Sequence, residues 1–432
     1  MDISLEKPFD KSIEIEAISS KSFVHRLMIA AAIDGTKRKI VTNIFSEDMK
    51  ATMNCLNALG ADIRIAEDGF YIFSGVGNCD SAVLDCNESG STARFMMPLA
   101  AVFSSKAKLI GRGKLPERPN GALCSELRRH GVEVDSDYIP TNISGKLQSG
   151  EYTIPGNISS QFITGLLIAL PLIEGDSILN IEGKLESAGY VDVTLEVLGR
   201  FGIRIERSEK GFIIPGGQHY CARDEEDIFA EGDWSNSAYI LGMGAVGADV
   251  MVSGLNIDST QPDRACIDLF KRFGARVEVS ADTKGGTDKL SRVRVSKDTL
   301  HGITADVSQV PDLVPALAVV ASFADSDSVF LNVQRLRIKE SDRVESIRNL
   351  LKSYGIDCET AKDGECEKLI VHGSGEPKYI TNGWQVDSYN DHRIVMAAAM
   401  AFVGRNNLPL IIHGAEAINK SFPDFFKKTE LI

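Results

Sequence analysis

Lysine, serine and arginine crowd the stretch Ser20-Lys21-Ser22-Phe23-Val24-His25-Arg26, and together they can hold an anion. The run Ile13-Glu14-Ile15-Glu16-Ala17-Ile18 before it alternates as a half-buried strand does. Apolar residues at 23, 27, 30 and 31 after it mark one face of a helix. Ser19 and Ser20 are good N-cap types, so the helix is expected to begin inside this cluster. Ser22 and Arg26, four apart, share a face. A helix start offers bare N–H groups and the positive end of its dipole, and added cations make it a site for phosphate or carboxylate. One such cluster is ordinarily a capped helix with solvated charges. Recurrence argues otherwise here.

Asp85-Cys86-Asn87-Glu88-Ser89-Gly90-Ser91-Thr92-Ala93-Arg94 sets small residues at a second helix start. Gly90 either lets backbone approach a ligand or serves a tight turn with positive φ, and both readings stand. Gly111 through Pro119 is a basic, proline-bounded loop carrying Arg118. Ser159-Ser160-Gln161 offers hydrogen-bonding side chains at another start, and Ser187-Ala188-Gly189-Tyr190 sits at a helix entry. In Ser308-Gln309-Val310-Pro311-Asp312 the carboxylate is by default an N-cap. In Lys339-Glu340-Ser341-Asp342-Arg343, Asp342 and Glu345 form a capping box, which leaves Lys339, Glu340 and Arg343 crowded at the helix entrance. A carboxylate flanked by cations suits acid/base work, with surface ion pairing as the competitor. Asn390-Asp391-His392-Arg393 and Lys420-Ser421-Phe422-Pro423-Asp424 complete the series. Basic residues thus mark helix starts in both halves of the chain: Lys21, Arg26, Arg94, Arg118, Lys339, Arg343, Arg393 and Lys420. If those helices run parallel, their positive ends suit a small ligand with several phosphates or carboxylates. Gly242-Met243-Gly244-Ala245-Val246-Gly247 matches a dinucleotide fingerprint but lies late in a helical run, so that reading is rejected.

The elements that must position these residues repeat. Glycines at 60, 131, 202, 274 and 355 each end an amphipathic helix, recurring about every 70 residues. A second helix type, beginning in the small polar clusters above, alternates with them. The chain reads as six units, each with two helices and several short strands. The last unit lacks a following strand, and the spare strand at 12–17 is expected to supply it. The expected layout is a discontinuous domain, 1–18 with 232–432, and an inserted domain, 19–231. Two covalent links side by side make a hinge able to close on a ligand.

Composition narrows the class. The 432 residues are 43% hydrophobic and 25% charged, as in a globular protein of two or three domains. A net charge of −13 argues against a nucleic-acid binder or a basic membrane-surface protein. The eight cysteines form no C-x-x-C pair, so zinc and redox motifs are unsupported. No leader is expected, and the longest apolar run, 162–173, is too short to span a bilayer. A reduced cytoplasm is the expected setting.

Taken in order, Ser-Lys-Ser-x-x-x-Arg at 20–26, Gly90 to Arg94, Glu-Arg-Pro at 117–119, Ser-Ser-Gln at 159–161, Pro-Asp at 311–312, Lys-Glu-Ser-Asp-Arg at 339–343, Asp-His-Arg at 391–393 and Lys-Ser-Phe-Pro-Asp at 420–424 resemble the 5-enolpyruvylshikimate-3-phosphate synthases (3-phosphoshikimate 1-carboxyvinyltransferases). The resemblance implies two inverse α/β barrels of three repeated units each, in a monomer that needs no metal or organic cofactor. The implied reaction moves the enolpyruvyl group of phosphoenolpyruvate to the 5-hydroxyl of shikimate 3-phosphate, a step of aromatic amino acid biosynthesis. Glu340 would then serve the methylene carbon and Asp312 would accept the hydroxyl proton. Lys21 would bridge both substrates, with His392 nearby as a further catalytic candidate. Ser22, Arg26, Ser159, Ser160, Gln161, Ser187, Lys339 and Asp312 would hold shikimate 3-phosphate, with Tyr190 beside its ring. Gly90, Arg118, Arg343, Arg393 and Lys420 would surround phosphoenolpyruvate, with Gln161 shared. The inhibitor glyphosate would compete there.

Two positions depart from the family pattern. Glu88 and Arg335 stand where many members carry asparagine, and either change could alter affinity. The nearest rival is the sister transferase acting on UDP-N-acetylglucosamine. It carries a cysteine in the loop equivalent to 111–119, where this chain has none, and asparagine beside the lysine, where this chain has Ser22. RNA 3′-phosphate cyclases share the repeats, but the acidic charge and missing nucleotide motif count against one. A silent anion-binding protein would gain nothing from Asp312 and Glu340.

Overall fold

The computed structural model describes residues 1–6, 12–222, 226–282, 290–364, 366–375, 383–405 and 408–432. It divides into two compact units, one of Met1–Ile18 with Glu231–Ile432 and one of Ser19–Ala230.

One building block recurs. In its plainest form, strand Cys79–Asp85 leads through helix Gly90–Phe103 to strand Ser104–Ile110, and the two strands pair in parallel with Leu84 opposite Leu109. Strand Thr141–Gly145 adds antiparallel to the second, and Val132–Val134 antiparallel to that. The same four-strand order appears with Glu151–Pro155 and Ser177–Glu182, and again with Thr304–Asp306 and Ser328–Leu331. Among the described residues the Ser19–Ala230 unit holds three four-stranded sheets, and the other unit two four-stranded sheets and one of three strands.

Two of the six blocks exchange their first strands. Ser12–Glu16 precedes helix Lys21–Asp34 but pairs in parallel with Asp249–Asn256. Asp227–Phe229 precedes helix Trp234–Val246 but pairs in parallel with Arg38–Val41. The exchange corrects one sequence expectation. The strand near residues 12–17 completes the fourth block, whereas the sixth is completed by Ile3–Leu5, antiparallel to Leu410–His413. A strand's local pattern fixes its pleat but not its partner.

Strands alternate exposed and buried side chains, as in Ser12–Glu16, so each turns one face outward. The helices that follow the first strands are buried almost throughout. In Lys21–Asp34 every residue from Phe23 to Ala32 is buried, where one apolar face was expected. A helix apolar all round belongs inside a core, and the run Ala30-Ala31-Ala32 lets neighbours pack closely on every side. The second helix of each repeat is amphipathic, as Glu47–Ala58 illustrates. Its terminating glycine adopts the left-handed conformation in all five predicted cases, with φ of 97°, 84°, 76°, 99° and 83° at Gly60, Gly131, Gly202, Gly274 and Gly355. At Gly60 the next amide, Ala61, reaches back to the Leu56 carbonyl at 3.2 Å, closing the helix end.

The rejected dinucleotide fingerprint is a packing seam. Gly242 and Gly244 lie within helix Trp234–Val246, and added β-carbons would stand 2.6 Å from Met400 Sδ and 2.2 Å from the Val295 carbonyl oxygen.

Candidate active site

In the Ser19–Ala230 unit, two buried arginines, Arg26 and Arg94, donate to neutral oxygens. Arg26 donates through Nε to Thr194 Oγ1 (2.8 Å), through Nη1 to the Ser22 carbonyl (2.8 Å), and through Nη2 to the Tyr190 carbonyl (3.1 Å) and Thr164 Oγ1 (3.3 Å). Its guanidinium carbon lies 5.1 Å from the Phe95 ring centroid. Burial pushes the Arg26 pKa down to about 10, only partly opposed by Tyr190. Arg94 donates to Gln161 Oε1 at 2.6 Å and to Asn120 Oδ1 at 3.1 Å, and Gln161 Nε2 donates to Ser91 Oγ at 2.9 Å. Gln161 is therefore held from two sides before any ligand arrives. Ser159 caps helix Ser160–Ala169 by accepting from the Gln161 amide, and Ser187, at φ 56°, holds a strained left-handed position before helix Ala188–Arg200.

Gly90 is the first residue of its helix, and Ser89 Oγ caps that helix by accepting from the Thr92 amide. Gly90 is absent from the left-handed residues of this stretch, where Asn87 (φ 49°) makes the turn. The turn reading with positive φ at Gly90 falls, and what lies close to Gly90 is a side chain. A β-carbon on Gly90 would stand 2.6 Å from Arg118 Nη1 and 2.9 Å from its guanidinium carbon. The Glu88 carboxylate packs against the Gly113 backbone, close enough that a β-carbon there would clash at 2.2 Å.

Lys21 Nζ pairs with Asp48 Oδ2 at 2.7 Å. One helical turn deeper His25 Nδ1 meets Thr52 Oγ1 at 2.7 Å, and Thr52 Oγ1 meets Thr92 Oγ1 at 2.7 Å. These rungs tie the first turns of three helices together. Burial, then Lys21 and Arg26, hold the His25 pKa well below its ordinary value, so the ring is a neutral structural member.

In the other unit Arg343, Arg393 and Lys339 reach carboxylates. Arg343, 1% exposed, donates Nη1 to Asp312 Oδ1 at 2.6 Å and Nη2 to Glu340 Oε2 at 2.7 Å. Its Nε donates to Asp391 Oδ2 at 2.7 Å. Arg393 Nη2 and Lys339 Nζ reach Asp312 at 3.2 Å and 3.4 Å. Burial alone would raise the Asp312 pKa, but Arg393, Lys339 and Arg343 hold it well below the usual carboxylate range. Lys339 is pushed down to about 8, chiefly by burial, with Asp312 opposing. Asp312 thus corrects its default reading as a helix cap. It lies in the 3-10 turn Pro311–Leu313, its carboxylate turned to three cations. Asp342 does cap its helix, accepting from the Glu345 amide at 3.2 Å.

Not every basic residue marks a helix start. Arg118 closes the 3-10 turn Leu115–Glu117, and Lys420 ends the 3-10 stretch Ala415–Lys420, where its Nζ donates to the Asn390 carbonyl at 2.6 Å. His392 opens helix His392–Gly404 and is buried, its Nδ1 4.0 Å from Asp391 Oδ1. The supporting partners Asp48, Thr52, Asn120, Thr164 and Thr194 were missed in sequence. Among the described residues, no group of His, Cys, Asp and Glu is arranged to hold a metal ion, and no helix is long and apolar enough to cross a membrane.

The EPSP synthase family, 3-phosphoshikimate 1-carboxyvinyltransferase, matches residues 6–429. The chain belongs to this family. Among its relatives, the 3-phosphoshikimate 1-carboxyvinyltransferase of Clostridium novyi (strain NT) is 38% identical, covering 98% of this chain and 96% of that one. That of Clostridium kluyveri is 39% identical over 96% of this chain and 93% of its own length. The solved EPSP synthase of Acinetobacter baumannii superposes with a TM-score of 0.79 at 24% identity, covering all of this chain and 98% of that one. The expected enolpyruvyl-transferase fold of the α/β class is therefore present, and the family resemblance read from the motifs holds.

Proposed function

We propose that this chain transfers the enolpyruvyl group of phosphoenolpyruvate to the 5-hydroxyl of shikimate 3-phosphate, releasing phosphate. The observation that carries the reading is the pair of carboxylates, Asp312 and Glu340, held on two nitrogens of the one buried guanidinium of Arg343. The reaction needs a group that gives a proton to carbon 3 of the enol and later takes it back, and a group that receives the hydroxyl proton. The hydroxyl oxygen bonds to carbon 2, and the tetrahedral adduct then loses phosphate and the carbon-3 proton together. Glu340, 24% exposed, is assigned to the carbon and Asp312 to the hydroxyl. Three cations keep Asp312 ionised, the form in which it can accept.

The Ser19–Ala230 unit supplies Lys21, Ser22, Arg26, Ser159, Ser160, Gln161, Ser187 and Tyr190 to the phosphorylated acceptor. Gly90, Arg118, Arg343, Arg393 and Lys420 are assigned to phosphoenolpyruvate, with Lys21 and Gln161 shared, and Lys339 to the shikimate ester. An arginine whose partners are neutral retains its charge for an incoming phosphate or carboxylate. We place the protein in the cytoplasm as a monomer. The test is phosphate release from phosphoenolpyruvate with shikimate 3-phosphate, run beside UDP-N-acetylglucosamine. Release only with the shikimate ester supports the reading. Release only with the sugar nucleotide moves the chain to the sister activity, and silence with both from folded protein leaves a binding protein.

A further inference from the structure

Arg343 owes its aim to a carboxylate that the reaction itself does not require. A guanidinium presents its N–H donors in one rigid plane, so fixing one edge fixes the direction of the rest. Asp391 grips that edge, with Oδ2 accepting from Nε at 2.7 Å and Oδ1 accepting from Nη2 at 3.4 Å. What remains of the fork points to Asp312 and Glu340.

Asp391 is itself immobilised. Its side chain is fully buried, and it accepts from Ser341 Oγ at 3.1 Å. As the N-cap of helix His392–Gly404 it also accepts from the Arg393 amide at 2.9 Å. Tyr389 and Asn390, at φ 52° and 55°, deliver it through two successive left-handed positions, a strained turn of the kind that persists where structure is over-determined. Capping does not need the charge, because asparagine and serine cap about as well as aspartate. Burying an ionised carboxylate only to cap a helix would be costly. The charge is answered by Arg343.

We propose that Asp391 is a positioning residue that clamps the Arg343 guanidinium and so sets where Asp312 and Glu340 stand. The proposal rests on the enolpyruvyl-transfer reading. It predicts that Asp391→Asn separates the two duties. The amide oxygen can still cap Arg393, but its NH₂ then stands where Arg343 Nε donates, and donor faces donor.

The experiment is steady-state kinetics of wild type and Asp391→Asn with both substrates, beside thermal unfolding of each. The expected result is a kcat reduced about 10- to 100-fold, the size of a lost charge-assisted hydrogen bond, with KM for phosphoenolpyruvate raised about as much on the same grounds. KM for shikimate 3-phosphate should rise less than that for phosphoenolpyruvate, since of its proposed ligands Asp391 reaches only Asp312, and that through Arg343. A purely structural role lowers the folded fraction and moves neither KM. Unchanged kinetics, or a loss of kcat alone in proportion to unfolded protein, overturns the proposal. Asp391→Ser keeps a cap in a smaller side chain and must show the same KM split, which guards against a variant that misfolds. Inactive wild type would sink the enolpyruvyl reading instead and take this proposal with it. The first failure appears only in the variant and the second already in wild type.

Discussion

Arg26 and Arg343 are both buried arginines near the first turns of helices, yet one is surrounded by hydroxyls and carbonyls and the other by carboxylates. The difference shows in their basicity. Burial drives Arg26 down to about 10, whereas for Arg343 burial is overcome by Asp391, Glu340 and Asp312 and the pKa is raised. Neutral partners satisfy the geometry of a guanidinium without cancelling its charge, so Arg26 keeps an uncompensated cation that an incoming anion would relieve. Arg343 is already neutralised by its surroundings and can add little net attraction. What it supplies is direction, holding two carboxylates apart at fixed places. We propose that Arg26 serves binding and that the cluster around Arg343 serves the chemistry.

The largest test of that division removes a carboxylate. Glu340→Gln leaves a side chain of the same shape beside Arg343 but takes away the exchangeable proton, and kcat should fall about 10²- to 10⁴-fold, the usual contribution of a general acid or base. Both KM values should change far less. If instead KM rises and kcat holds, Glu340 belongs to binding and the comparison collapses.

On the other side, Arg26→Met keeps much of the buried stem and deletes the charge. The hydroxyls of Thr164 and Thr194 can still satisfy each other at 2.9 Å, so the fold should survive. KM for shikimate 3-phosphate should rise by about 10- to 100-fold for each charge-assisted hydrogen bond to the substrate that the variant can no longer make, with kcat reduced less. An isothermal titration with shikimate 3-phosphate alone measures the same weakening without catalysis.

Lys339 sits between the two styles, a buried cation with Asp312 3.4 Å away that still loses its proton at about 8. Below that pH it is charged and can hold an anion, and above it the charge is lost. KM for its substrate should therefore climb above about pH 8, by up to tenfold per pH unit as for any single titrating group. Lys339→Arg should carry the plateau to higher pH. Stability follows the opposite sign. Between about 8 and the ordinary 10.5 the unfolded chain binds the extra proton, so this group makes folding more favourable as pH rises through that window. A profile flat to pH 10 would show that Lys339 bears no anion.

How much of this was legible in sequence depends on whether the signal is local. The repeats were visible because a C′ glycine in the left-handed region and a small polar N-cap are dictated by backbone geometry alone, as at Gly60 and Ser89. The exchange of Ser12–Glu16 for Asp227–Phe229 was not, since either strand would satisfy either sheet's alternation. Asp312 looked like a cap because aspartate before a helix usually is one. Only tertiary packing brings Arg343 and Arg393 to it. Asp48 was passed over because an acid in a first turn already has a reason to be there, the helix dipole. Thr164 and Thr194 gave no sign, because a hydroxyl on a buried helix is ordinary until a guanidinium is found against it.

The smallest expected change is also the most selective. At Gly90→Ala the backbone tolerates alanine, and at a helix's first residue the change should leave stability nearly unaltered. The methyl group falls 2.6 Å from Arg118 Nη1, a flexible side-chain end that can yield but must then move. Arg118 is the third buried arginine of the comparison, and shifting it should weaken phosphoenolpyruvate binding modestly, with KM rising about three- to tenfold as for one perturbed charged hydrogen bond. We propose that glyphosate competes for the same pocket and reaches nearer the added methyl than the substrate does, so its inhibition constant should rise further than KM. Inhibition assays at several phosphoenolpyruvate concentrations separate the two. Equal shifts would mean that Arg118 acts only through charge, and no shift in either would remove Gly90 from the pocket altogether.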